Sequence, residues 1–223
     1  MTPAAPEKVR AKMPDRKNIA ERRFDFQIRA AEQPDGEQEL WVEGYATRFE
    51  SPTVLREYSD GFKVVEQVLR GAFDSSNMTD VIFNYNHSGK VMARTRNKTL
   101  QLAVDNDGLF IRARLDGTEE GRRLHDEISK GYIDRMSFRF TIDEEKEIYT
   151  KDSLEYQIVK IKKLYDVSAV DIPAYDDTSI EARCASADEY LERRGRESAE
   201  AEAELLLAVT KTRILMLERS NNQ

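Results

Sequence analysis

From about residue 24 to residue 183 the chain is built of short runs in which apolar and polar residues alternate, with Gly, Pro, Asn or Asp between them. A period of two is the signature of a strand that buries one face, and such strands must find partners. Phe24-Asp25-Phe26-Gln27-Ile28 alternates, then Pro34-Asp35-Gly36 turns the chain into Leu40–Tyr45, a hairpin-like arrangement. The clearest hairpin joins Leu100–Val104 to Leu109–Leu115 through Asp105-Asn106-Asp107-Gly108. Val81–Tyr85, Met136–Ile142, Tyr156–Ile161 and Tyr165–Ile172 read as further strands. One helix lies among them: Thr118 caps it, Glu119 and Glu120 suit its positive end, Leu124 and Ile128 share a face, and Gly131 closes it. A second helix is expected over Phe62–Arg70, ahead of Gly71. No internal repeat and no phosphate-binding glycine loop is present. The expectation is an α+β fold, a mostly antiparallel, barrel-like sheet packed with helices, not a βαβ repeat.

The flanks differ in kind. Residues 1–23 carry seven basic and three acidic side chains with no apolar stretch, and read as a flexible basic arm rather than a secretory signal. Residues 184–223 contain no Pro and only Gly195, and are dominated by Glu, Ala, Arg and Leu, a composition that makes helix. Leu207, Thr210, Ile214 and Leu217 form one stripe there, and Leu205, Val209, Thr212 and Met216 a neighbouring one. That is about two heptads, short of the three or four that mark a coiled coil. The expectation is an amphipathic helical tail in search of a partner surface. The domain between arm and tail, residues 24–183, is where a core can form.

Composition removes several classes of function. One cysteine, Cys184, leaves no intramolecular disulfide, and two histidines leave no multi-His zinc site. A net charge of −7 argues against a generic nucleic-acid binder, which needs clustered cationic surface. No run approaches the roughly 18 to 20 apolar residues of a membrane span. A soluble intracellular protein without a transition metal is expected.

Several residues could carry chemistry. His87 follows an apolar strand and precedes a Gly-containing turn, which puts it at a strand end. Ser137 alternates with Met136, Phe138 and Phe140, so it shares a face with Arg139 opposite the apolar one. Asp166, flanked by apolar residues at a strand start, could accept an imidazole Nδ1–H. Each has a plainer reading taken alone: a loop histidine, a solvated hydroxyl, a carboxylate paired with Lys162 or Lys163. Asp171 competes with Asp166, and alternation puts the two on opposite faces of one strand. Cys184 stands outside the core pattern, and Asp105, Asp107 and Asp116 lack EF-hand spacing and read as turn chemistry. His125, one position past Leu124, is expected to be exposed.

Together, the order His87, Ser137, Asp166 resembles the prohead (procapsid maturation) protease family of tailed bacteriophages, whose fold is related to the herpesvirus assemblins. Four segments carry the likeness: Arg70-Gly71-Ala72-Phe73-Asp74; Asn86-His87; Gly131 through Met136-Ser137-Phe138-Arg139-Phe140; and Asp166-Val167-Ser168-Ala169-Val170-Asp171-Ile172-Pro173-Ala174. The chain departs from the family where Arg139 replaces a common Gly, Ser88 a common Asp, and Asp166 a frequent, longer Glu. The resemblance implies a serine endopeptidase that uses no cofactor. Ser137 would be its nucleophile, His87 its general base and Asp166 the third member. By analogy the backbone N–H of Ala174 would be an oxyanion donor, since Pro173 has none. Implied partners are the scaffolding protein or the scaffolding domain of the major capsid protein, cleaved inside the assembling procapsid in the host cytoplasm. The resemblance also implies self-cleavage, for which the arm and the junction near Ala185 are the exposed zones; a homo-oligomer is possible.

Two other readings stay open at this stage. A catalytically silent scaffold or assembly chaperone would keep the same fold, and the Arg139 and Ser88 departures favour it. A nucleic-acid module using the basic arm would show steep salt dependence.

Overall fold

The computed structural model describes residues 19–31, 39–171 and 177–221. The chain divides into two units, one ending at Glu181 and the other beginning at Ala182.

In the first unit the strands are β1 (Ile19–Ala30), β2 (Trp41–Arg48), β3 (Thr53–Glu57), β4 (Lys63–Val68), β5 (Ile82–Tyr85), β6 (Ser88–Arg94), β7 (Leu100–Val104), β8 (Gly108–Arg114), β9 (Arg135–Tyr149) and β10 (Ser153–Val170), with helix α1 (Glu119–Ser129) before β9. The organising element is the long hairpin of β9 and β10, closed at Thr150, whose hydroxyl accepts from Ser153 N at 2.9 Å. Hydrogen-bonded neighbours follow the order β3-β4-β10-β9-β1-β2-β8-β7, with β5 on β10 and β6 on β5.

The expected antiparallel barrel becomes an open, mixed sheet among the described residues: the path starts at β3 and ends at β7 without closing. The mixture arises at β10, whose second edge is shared. Its first part pairs in parallel with β4, from Ser153↔Lys63 to Ile158↔Val68, and its last part in parallel with β5, from Asp166↔Ile82 to Ala169↔Tyr85. The change of partner explains why Tyr156–Ile161 and Tyr165–Ile172 read as two strands. Exposed Lys160 and Lys162 mark the exchange, and the pairing with β9 along the other edge, which extends from Leu154 to Val170, shifts register several times there.

The helix expected over Phe62–Arg70 is strand β4. Phe62, Val64, Glu66 and Val68 are buried and the residues between them are half-buried, a period of two. Adjacent β-branched Val64 and Val65 favour that extended chain, and Gly71, at φ 87°, ends a strand-to-turn passage rather than a helix. Likewise, β1 begins at Ile19, inside the segment read as an arm; residues 1–18 lie outside the described ones. The Leu100–Leu115 hairpin forms as expected, with Leu100↔Ala113 through Val104↔Leu109 in register.

Core and site occupy opposite faces of the same strands. Directly paired residues share a face, so Phe138 on β9, Val167 on β10 and Phe83 on β5 form one fully buried apolar row. Phe140 stacks on Phe138 at 4.6 Å, and Phe73 meets Phe138 at 6.4 Å. Each such ring contributes about 1.5–3 kcal/mol on leaving water. One residue along, the parallel row reads Ser137, Ser168, Asn84, all buried and all polar.

Helix α1 is capped as read: Thr118 Oγ1 accepts from Gly121 N at 2.9 Å, and Leu124 and Ile128 are buried. It packs on β1, β2 and β6. His125, expected to be exposed, is half-buried beside the Trp41 backbone, and burial holds its imidazole below the ordinary value. The folded state therefore binds that proton less readily than the unfolded chain. Stability from this group is present above about pH 6.5 and lost as pH falls below it. Melting temperatures at pH 7.5 and 5.5 should differ less in His125→Gln than in the wild type.

In the second unit, helix α2 (Asp177–Asn221, starting just before the division) continues unbroken. Leu205, Leu206, Leu207 and Val209 each expose more than half of their surface.

Candidate active site

Three elements converge on one buried cluster. Strands β5 and β6 are joined by a two-residue turn, Asn86-His87, with Tyr85 paired to Ser88. Both turn residues have positive φ, 48° and 54°, as a type I′ hairpin demands. Asparagine tolerates that region, whereas histidine pays about 1 kcal/mol for it. Glycine would be the easy residue at 87, so the imidazole is held there at a cost in backbone strain.

The surroundings fix the turn from several sides. Asn86 N donates to Ala169 O at 3.0 Å, Asn86 Oδ1 accepts from Asp171 N at 3.3 Å, and Arg139 Nη1 donates to His87 O at 3.0 Å. Tyr85 OH donates to Asp171 Oδ2 at 2.9 Å. Burial and then Asp171 push the Tyr85 phenol up, which keeps it a neutral donor. Arg139, the departure that favoured a silent protein, thus grips the carbonyl of the histidine itself.

His87 Nε2 lies 2.6 Å from Ser137 Oγ, and His87 Nδ1 is hydrogen-bonded to Asp166 Oδ1. With Nδ1–H donating to the carboxylate, Nε2 is left to accept from the serine hydroxyl. Ser137 is 0%, Asp166 5% and His87 6% exposed, so water competes little for these bonds. The structure therefore brings together His87, Ser137 and Asp166 from β5–β6, β9 and β10. Asp171 instead accepts from Tyr85 and is exposed. Ala174 and Pro173 lie outside the described residues.

The other candidates fall elsewhere. Cys184 is on α2. Asp105 Oδ1 accepts from Asp107 N and Gly108 N at 2.8 and 3.0 Å, turning the β7–β8 hairpin, and its Oδ2 accepts from Tyr45 OH. Among the described residues no group of three or more His, Cys, Asp or Glu is arranged to hold a metal ion.

Two residues of the cluster were not singled out from sequence. Ser168 Oγ lies 3.1 Å from both Asp166 Oδ1 and His87 Nδ1 and is hydrogen-bonded to Asn84. The signal was available for Ser168, which follows Asp166 by two positions on a strand and so shares its face. Asn84 gave none, because its place beside Ser168 depends on the parallel register of β5.

A serine hydroxyl, an imidazole and a carboxylate in hydrogen-bonded series form the geometry serine peptidases use to activate a nucleophile. The family comparison agrees on the class. Residues 24–193 match the family described as Caudovirus prohead serine protease, and the chain belongs to that family. No curated protein matches. Among solved structures, the chain is similar to the capsid assembly protease gp21 of bacteriophage T4, at 14% identity and a TM-score of 0.42, over 70% of this chain and 98% of that one.

Proposed function

We propose that this chain is a serine endopeptidase of procapsid maturation, cleaving the scaffolding protein or the capsid protein's scaffolding domain, and itself. The observation that carries the reading is the 2.6 Å approach of Ser137 Oγ to His87 Nε2, backed on the far side of the ring by Asp166. Ser137 Oγ attacks the scissile carbonyl as Nε2 takes its proton. Asp166 stabilises the imidazolium, which then protonates the leaving amine, and water repeats the sequence on the acyl-enzyme. The backbone N–H of Ala174 is the proposed oxyanion donor; such a donor is worth about 10²- to 10³-fold in rate. The reaction as drawn uses side chains and backbone alone. The exposed leucines of α2 would meet scaffold helices and bring the protease into the shell.

Arg139 supports this reading over the silent scaffold, since a protein with no chemistry to perform has no use for a strained histidine gripped at its carbonyl. Arg139→Met keeps the aliphatic stem and removes the donor. It should lower the acylation rate about ten-fold, the worth of one charge-assisted hydrogen bond. Stopped-flow release of p-nitrophenol from p-nitrophenyl acetate measures it, and an unchanged rate would remove Arg139 from the site.

The direct test is co-expression with the capsid and scaffolding proteins of the same phage, followed by intact mass. Wild-type chain should truncate the scaffold segments and itself, and Ser137→Ala should leave both whole. Identical fragments in both would show that the serine is wrong, and intact proteins in both would return the silent scaffold.

A further inference from the structure

Behind the triad lies a second set of buried polar side chains, which the reaction above does not use. Ser168 is 0% and Asn84 5% exposed. The register puts Ser168 opposite Ser137 on one side and opposite Asn84 on the other, so the three hydroxyl and amide groups lie in one row across β9, β10 and β5. Ser168 Oγ touches three polar atoms: Asn84 Oδ1, Asp166 Oδ1 at 3.1 Å and His87 Nδ1 at 3.1 Å.

A hydroxyl has one proton to give. As placed in the structure, Asn84 Oδ1 faces Ser168 and takes that proton. Ser168 Oγ and the carboxylate oxygen of Asp166 then face each other at 3.1 Å with no hydrogen between them. Two lone pairs so placed in a buried site repel. Turning the amide by 180° removes the conflict, because its oxygen and nitrogen ends occupy equivalent positions. Asn84 Nδ2–H then donates to Ser168 Oγ, Ser168 Oγ–H donates to Asp166 Oδ1, and His87 Nδ1–H donates to the same carboxylate oxygen.

We infer that Asn84 and Ser168 form a directed hydrogen-bond relay that positions Asp166 and, through it, the imidazole of His87. Neither touches the reacting atoms, so both are positioning residues. The relay stabilises the ionised carboxylate, aims Oδ1 at Nδ1 and selects the tautomer in which Nε2 accepts from Ser137. The inference rests on the peptidase reading.

Ser168→Ala removes the middle of the relay in a nearly isosteric way. Asp166, one donor poorer, turns its acceptor strength onto the single remaining bond to His87 Nδ1–H. The acid limb of the rate profile should therefore move to higher pH, which a merely structural role would not produce. With p-nitrophenyl acetate as probe, kcat should fall about 10- to 100-fold, the usual worth of a partner that orients a functional side chain, with KM within a few-fold. Asn84→Ala should shift the limb the same way by less. The double variant should lose less than the product of the two single losses, the mark of residues in one network.

Urea midpoints run alongside separate folding from function. If the folded Ser168→Ala protein keeps the wild-type kcat and acid limb, or if the two substitutions multiply independently, the relay is overturned while the triad stands. If the wild type shows no Ser137-dependent acylation at all, the peptidase reading fails, and the relay with it.

Discussion

Ser137→Ala should reduce peptide-bond hydrolysis about 10⁶-fold, the loss met when a triad serine is removed alone. The size follows from the geometry: Oγ, 2.6 Å from Nε2, is the only atom in the cluster placed both to give its proton to the imidazole and to form the acyl bond. Among the described residues no neighbour substitutes for it. Ser168 lies on the Nδ1 side of the ring, where a hydroxyl cannot hand its proton to Nε2. The fold should be indifferent by comparison. Alanine keeps the Cβ in a fully buried position, and the hydrogen bond to His87 that it gives up is worth about 1 kcal/mol. A large activity loss with a nearly unchanged urea midpoint is the expected pair of results, read by intact mass of the processed proteins and by circular dichroism.

Asp166→Asn should cost about 10⁴-fold, as a wrongly directed amide does in other triads. An asparagine can present its NH₂ to Nδ1. The imidazole then accepts there and carries its proton on Nε2, facing Ser137 with a donor where an acceptor is needed. The volume is unchanged, so the defect is one of proton placement rather than packing. Asp171→Asn is the control, because it stood as the alternative third member. Its carboxylate accepts from Tyr85 OH at 2.9 Å, and its contact with the turn, to Asn86 Oδ1, is made by the backbone N–H that asparagine keeps, so the loss should stay within a few-fold. Equal losses in the two variants, or a greater one in Asp171→Asn, would reverse the assignment. Esterase rates against p-nitrophenyl acetate distinguish these results.

The sequence exposes this fold where a segment satisfies its own pattern locally. Helix α1 carries its cap, its acidic first turn and its buried Leu124 and Ile128 within one short stretch, and the β7–β8 hairpin carries its strands and turn together. What is hidden depends on distant partners. Strand β3 pairs by one edge and buries none of its residues fully, so its sequence Thr-Val-Leu-Arg-Glu carries no apolar-polar alternation. Strand β6 reads as a turn because Ser88-Gly89-Lys90 is polar, yet the turn proper is Asn86-His87. Strand β4 is followed by Gly71, which suits a helix stop as well as a turn, and a run of only six residues gives its alternation little weight. The parallel pairings of β10, which turn the expected barrel into an open mixed sheet, join segments far apart in sequence.

The same division runs through the site. His87, Ser137 and Asp166 are each unremarkable alone, and it is their order within a set of family-like segments that singles them out. Choosing Asp166 over Asp171 by geometry needed the register that sets Ser168 between Ser137 and Asn84. The positive φ of His87 and the grip of Arg139 on its carbonyl are equally non-local.

The most direct measurement is covalent capture of the nucleophile. Wild-type protein is treated with diisopropyl fluorophosphate, whose phosphorus is attacked by an activated serine oxygen with loss of fluoride, then weighed intact and mapped by peptide. The expected result is one adduct per chain on Ser137, absent from Ser137→Ala and strongly slowed in His87→Ala and Asp166→Asn. An adduct on another residue, labelling of Ser137→Ala at the wild-type rate, or no adduct on the wild type would contradict a nucleophile built from Ser137, His87 and Asp166.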